Sequence, residues 1–396
     1  MTGKTYIRNE VINLTRVAVS ESVLRWALER SGKAAALERK FSKLFEWLEG
    51  ISQPTLRQLE DLAKATATPF GYFFLAEPPE DRLPIPHFRT LGDESTRRPS
   101  PDLLETVQTA ELRQAWMREH LIEQGREPLS FVHSASFTEE PRRIAQEIRS
   151  VLGLAENWAA EQSSWMAALR ELQRKMEDAG ILVMVSGIVG NNTHRKLNPA
   201  EFRGFVLVDE FAPLVFVNGK DYKVAQMFTL AHELAHVWFG SSAAFDLREL
   251  RPADDATEQA CNQVAAEFLV PEAGLCDFWP HINRAPEPFQ EIARRFKVSR
   301  LVAARRALDL GLIVRSVFFE YYRAVMDEER RNTEHEDKGG NFYNSQNQRI
   351  SKRFAEAVIR AAREGRLLYH DAYQLTGLHR KAFENYAELL GLGASL

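Results

Sequence analysis

The chain has 396 residues, which is long for one hydrophobic core and implies two or three domains. Hydrophobic residues at 44% and charged residues at 27% exclude a disordered chain, and a net charge of −4 excludes a basic character along its whole length. Two cysteines, Cys261 and Cys276, exclude a disulfide framework or a C-x-x-C knuckle and fit a reducing cytosol.

The first region, residues 13–91, is predicted to be mostly helical. Glu21 to Ser31 places Val23, Leu24, Ala27 and Leu28 on one face, and Gly32 ends the pattern. Amphipathic pieces follow over Lys33–Phe41 and Ser42–Glu49. Pro54 and Thr55 open a fourth helix carrying Leu56, Leu59, Leu62 and Ala63, and Pro69 closes it. Pro78, Pro79, Pro84 and Pro86 impose extended chain, and the polar stretch Gly92–Pro101 reads as a linker. A helical connecting region, 102–179, carries Trp116, Trp158 and Trp165 as packing residues. From 180 to 326 the pattern begins with strands at Ile181–Val185, Gly204–Val208 and Leu214–Val217 and turns helical from Tyr222. The charged stretch Asp327–Gly340 reads as a solvated connector. Helices return in a C-terminal region, 345–396, over Ile350–Glu364 and Lys381–Leu390. The N-terminus lacks the charged-then-apolar pattern of an export signal, and Gly180–Val189, the most apolar run, is too short to span a bilayer. A cytoplasmic protein without membrane association is therefore expected.

The helical segment after Tyr222 contains His232-Glu233-Leu234-Ala235-His236. Residues four apart on a helix share a face, so both imidazoles reach one zinc ion. Glu233, offset around the helix, is placed as the base that takes a proton from the attacking water. Leu230, Ala231, Leu234, Ala235 and Val237 would bury the helix, leaving two histidines in need of a partner. A catalytic zinc takes three protein ligands and keeps one open position. Glu258, in the first turn of the next predicted helix, is the candidate third ligand, against the plainer reading of a surface acid at a helix N-terminus. Asn262, one turn on, is the candidate that orients a ligating histidine through its free ring nitrogen. Glu267 is the competing acid. Cys261 reads either as a soft ligand or as a small buried hydrophobe.

Gln226 to His236, followed by Glu258-x-x-Cys261-Asn262-x-x-Ala265-Ala266-Glu267-Phe268-Leu269-Val270-Pro271, resembles the ImmA/IrrE metallopeptidases. The segments Glu201–Phe205 and Leu214–Asn218 resemble strands of the same family. The resemblance implies a gluzincin-like domain with a small antiparallel sheet whose edge strand holds substrate; Val215, Phe216, Val217 and Asn218 are the candidates for that strand, against an ordinary core strand. It also implies an intracellular protease acting on one regulatory protein, such as a DNA-binding repressor. His194, in the polar run Asn191–Lys196, is a candidate oxyanion stabiliser, against the reading of a solvated loop.

The four N-terminal helices resemble an XRE-type helix-turn-helix domain, with Trp47-Leu48-Glu49-Gly50 ending the recognition helix. The expected fold class is thus α+β and mostly helical: an N-terminal bundle, the peptidase domain and a helical C-terminal region. Lys33, Arg39, Lys40 and Lys43 are candidate contacts to double-stranded DNA, while Glu46, Glu49 and the apolar Leu44, Phe45, Trp47 and Leu48 suit a protein partner as well. The resemblance implies stress-response, phage or toxin–antitoxin control. The alternative is a non-proteolytic antitoxin or repressor that uses zinc for structure alone.

Overall fold

The computed structural model describes residues 16–79, 99–221, 223–241, 243–245, 256–331 and 342–393. The proline-rich run past Pro79, the linker up to Arg98 and most of the charged connector lie outside them. The chain divides into two compact units, one N-terminal and one formed by the residues from Thr106 onward.

The N-terminal unit holds α1 (Glu21–Ser31), α2 (Ala34–Lys40), α3 (Leu44–Leu48), α4 (Leu56–Thr66) and a 3-10 turn at Phe70–Phe74. Gly32 ends α1 with φ of 62°, a left-handed conformation that costs a residue without a side chain nothing. Thr55 opens α4 with a capping box: its hydroxyl accepts from Gln58 N at 3.3 Å, and Gln58 Oε1 accepts from Thr55 N at 2.9 Å. Such a cap stabilises a helix start by ~1 kcal/mol. Val23, Leu24, Ala27, Leu37, Leu44, Trp47, Leu59, Leu62 and Phe73 share one core. Leu44 and Trp47 are therefore interior residues, and the outward side of the five-residue α3 carries Phe45.

The second unit begins within α5 (Pro101–Glu123) and continues through α6 (Pro141–Leu152) and α7 (Trp165–Ala179) into β1 (Leu182–Ser186), β2 (Ile188–Val189), β3 (Asn192–Lys196), β4 (Gly204–Leu207) and β5 (Leu214–Asn218). Then come α8 (Lys223–Phe239), β6 (Ala243–Phe245), α9 (Ala256–Leu269), α10 (Glu272–Ile282), α11 (Pro288–Phe296), α12 (Arg300–Asp309) and α13 (Arg315–Arg331). The last helices are α14 (Phe342–Ile350), α15 (Lys352–Arg363), α16 (Tyr369–Thr376) and α17 (Arg380–Leu389).

The main sheet has the order β1-β5-β4-β6. It is mixed rather than antiparallel: β1 runs parallel to β5, with Val183 opposite Val215, while β4 and β6 run antiparallel to their neighbours. Against expectation, β5 is an interior strand. Leu214 to Asn218 is paired on both sides and fully buried, because the apolar run Leu182–Val185 takes one of its edges. The polar run Asn192–Lys196, read from sequence as a loop, forms β3 of a separate two-stranded ribbon with β2. The connecting, peptidase and C-terminal regions expected as separate domains share one unit. α6 packs on α9 and α14 on β1, and the Arg113 guanidinium of α5 donates through Nε to Leu375 O of α16 at 2.9 Å. One core runs from Phe131 to Phe318 and encloses α8.

Candidate metal centre

α8 packs against β4, β5 and α9, and its length is wholly apolar apart from a few side chains. Leu230, Leu234, Ala235, Val237 and Trp238 are buried, and so are His232, Glu233 and His236, each at 0% exposure. Three polar groups in such surroundings cost several kcal/mol unless something satisfies them.

His232 Nε2 lies 3.1 Å from His236 Nε2 and 3.1 Å from Glu258 Oε2, and His236 Nε2 lies 3.4 Å from Glu258 Oε1. An ion held tetrahedrally at about 2.0–2.1 Å separates its ligand atoms by ~3.3 Å, so the three donors already stand at the spacing of three corners of a zinc site. Among the described residues these are the one cluster of histidine, cysteine and acid side chains that close around a common point. Burial holds the His232 imidazole down to about 4, so its ring is neutral at neutral pH. For Glu258 burial opposes ionisation, but the neighbouring His232 and His236 side chains outweigh it and hold the carboxyl below the usual range.

Each ring is also held from behind. His232 Nδ1 lies 3.1 Å from Asn262 Oδ1, an atom that only accepts, so Nδ1 carries the proton and Nε2 faces the cluster. His236 Nδ1 lies 3.0 Å from Ser241 Oγ, just past the end of α8. Ser241 escaped the sequence reading because a serine after a helix end has no pattern of its own. α9, which supplies Glu258 and Asn262, is fixed at its far end. Arg149 donates to the Glu267 and Phe268 carbonyls, and Arg306 pairs with the Glu267 carboxylate while donating to Val270 O. Glu267, the competing acid, is thus occupied in a buried ion pair away from the histidines, and Cys261 is buried in the core.

Glu233 differs from these neighbours. Among the described residues neither of its carboxylate oxygens has a hydrogen-bond partner. Burial, and then the charge of Glu258, push its carboxyl well above the usual range. An unsatisfied buried acid beside a set of metal donors is suited to picking up and releasing a proton. Gly204 of β4 lies directly against it: a Cβ there would stand 3.0 Å from Glu233 Oε1, 2.9 Å from Phe216 O and 2.8 Å from Thr229 Cγ2. This close approach makes Gly204 part of the site, although the sequence reading treated it only as a strand residue.

The other candidates lie elsewhere. β5 has no open edge, so Val215, Phe216, Val217 and Asn218 do not hold a substrate strand. Asn218 instead donates to Phe202 O and accepts from Lys220 N, bracing the turn after β5. His194 is exposed on β3, and its backbone N–H donates to Asn192 Oδ1. Lys33, Arg39, Lys40 and Lys43 are exposed around α2 and form no ion pair among the described residues.

Residues 176–308 match the IrrE N-terminal-like domain of peptidase family M78. The matched stretch runs from the end of α7 into α12 and contains His232, Glu233, His236 and Glu258. It supports a metallopeptidase-type function for this part of the chain. Residues 350–389, spanning α15 to α17, match a domain of unknown function, DUF8813. No curated protein matches the chain. Among the described residues no helix is long and apolar enough to cross a membrane.

Proposed function

We propose that the protein is a zinc-dependent endopeptidase of the cytoplasm that cleaves a specific regulatory protein, a repressor or a toxin partner, and that its N-terminal unit is a helix-turn-helix module serving that regulation. The observation that carries the peptidase reading is the pairing of three converging donors with an unsatisfied acid. His232, His236 and Glu258 would hold the metal, with Asn262 and Ser241 fixing the rings. Zinc bound there supplies Lewis acidity toward a peptide carbonyl and a water molecule. Glu233 accepts the proton of the attacking water and delivers it to the leaving amide nitrogen.

Metal analysis of freshly purified protein tests the site. About one zinc per chain is expected in the wild type, the same in Glu233→Gln, and none in Glu258→Ala. Wild-type protein unable to take up zinc would overturn the peptidase reading. Mapping new protein N-termini in cell extract then tests the activity: cleavages made by wild type and absent with Glu233→Gln support it, and identical patterns would leave a binding protein with structural zinc.

For the N-terminal unit two partners are in play. The exposed Lys33, Arg39, Lys40 and Lys43 suit phosphates, and duplex binding through them would weaken steeply with salt. Phe45 at 68% exposure and Ile51 at 70% favour a protein partner instead. Affinity that is insensitive to salt and lost in Phe45→Ala would select the protein reading.

A further inference from the structure

Among the described residues the main sheet ends in β1 on one side and in β6 on the other. β1 carries α14 and is separated from β4 by β5. β6 is a strand of three residues laid on the outer edge of β4. It comes from the chain just past the metal helix. α8 ends at Phe239, Gly240 turns with φ of 72°, and Ser241 stands behind His236. Ala243–Phe245 then runs back antiparallel along β4, with Val206 opposite Ala243, Phe205 opposite Ala244 and Gly204 opposite Phe245.

The edge that β6 covers is the one beside Glu233. Gly204 of β4 comes so close to that acid that a Cβ on it would stand 3.0 Å from Oε1. Neighbouring strands lie ~4.8 Å apart, so a chain paired to the outer edge of β4 passes within one strand spacing of this glycine. Residues directly opposite in a ladder share a face, so the position opposite Gly204 is on the side of Glu233. β6 also packs on α8, the helix of the metal donors. A scissile amide has to be presented in extended chain, because helices and turns tie up their own amides. Adding a strand to a sheet edge does this through main-chain hydrogen bonds. β5 is paired on both sides, which leaves the β4 edge for the purpose.

We infer that β6 is an autoinhibitory strand: it holds the β4 edge on which an extended segment of the protein substrate pairs antiparallel, and it leaves when that segment arrives. The substrate residue that takes the register of Phe245, opposite Gly204, is the one brought beside Glu233. The exchange is favoured by length. β6 pairs three residues of β4, whereas Leu207, the fourth, pairs with Leu214 of β5 and has no partner in β6. A longer incoming segment therefore makes more main-chain bonds than β6 gives up. The inhibitory role rests on the peptidase reading, but the opening of the β4 edge is measurable without it.

A reversible lock on the full-length protein tests it. Val206→Cys with Ala243→Cys places two thiols opposite each other in the ladder, at a spacing a disulfide can bridge, and Cys276→Ser removes the exposed thiol that would compete. Hydrogen exchange is measured first. In the wild type the amides of Gly204–Leu207 that point to β6 are expected to exchange at least tenfold faster than those of β5, and the oxidised lock to slow them at least tenfold. New protein N-termini are then mapped in desalted cell extract. Cleavages made by the reduced lock should vanish on oxidation and return on reduction, with zinc content unchanged, while wild type treated alike cleaves throughout. β4 amides as protected as those of β5 in the wild type, which needs no variant to fold, would overturn the inference. So would an oxidised lock that cleaves as the reduced one does. Zinc-loaded wild type that cleaves nothing would overturn the peptidase reading, and with it the inhibitory role, whereas fast exchange along β4 would still identify an edge that opens.

Discussion

Replacing Ser241 by alanine should weaken zinc binding without unfolding the protein. The hydroxyl stands 3.0 Å from His236 Nδ1 and, among the described residues, is the one side chain hydrogen-bonded to that nitrogen. With it gone, the imidazole loses the partner that keeps the proton on Nδ1 and the lone pair on Nε2. His236 is fully buried, but Ser241 is partly exposed, so a water molecule can enter where the hydroxyl was. That places the loss toward the lower end of the 10–100-fold range for groups that orient a metal ligand, about tenfold or ~1.4 kcal/mol. Competition against a chromogenic zinc chelator at fixed pH measures it. Ser241→Thr, which keeps the hydroxyl, should bind nearly as the wild type does. Asn262→Ala acts on the other ring, at 3.1 Å from His232 Nδ1, so the double variant should lose roughly a hundredfold by additivity. A Ser241→Ala affinity within about twofold of wild type would refute the argument that the hydroxyl orients His236.

Three further outcomes are expected. Gly204→Ala forces a Cβ against Glu233, Thr229 and the Phe216 carbonyl. It should cost ~1–3 kcal/mol in thermal unfolding and reduce any hydrolysis that depends on Glu233, whereas an unchanged melting temperature would show that β4 yields freely. Arg306→Met leaves the buried Glu267 carboxylate unpaired and should destabilise by ~3–5 kcal/mol near neutral pH. Burial already raises the Glu267 carboxyl and Arg306 opposes that, so the variant raises it further. A carboxyl raised in the folded state keeps its proton where the unfolded chain has lost it, so stability falls as pH rises from the ordinary carboxylate value through the folded one. The deficit of Arg306→Met relative to wild type should therefore shrink toward pH 5, and a deficit that does not vary with pH would contradict the assignment. Finally, removing metal with a chelator should lower the melting temperature of wild type but not of Glu258→Ala, because a metal held by His232, His236 and Glu258 would join α8 to α9 and bind only the folded chain.

The parts of the molecule that were legible in the sequence are those governed by local rules. The helix over Glu21–Ser31 and its stop at Gly32, the strands around Val183, Val206 and Val215, and the helices bearing His232 and Glu258 follow from apolar periodicity and capping residues within a few positions of each other. Two histidines one turn apart with an acid between them are likewise a local pattern, and it placed three of the site's side chains on one helix. The fold decided what depends on partners distant in sequence. Whether Leu214–Asn218 is an edge or an interior strand is set by β1 pairing with it, a partner distant in sequence. Asn192–Lys196 became a strand because Ile188 and Val189 offered it an edge, despite its polar composition. Ser241 behind His236 and Gly204 against Glu233 are likewise meetings of residues far apart in the chain or turned together by a loop. A sequence states which chemical groups are present and the local shape each stretch prefers. Which groups face one another follows only from the closing of the core, because burial free energy depends on the whole set of packed surfaces and not on any one segment.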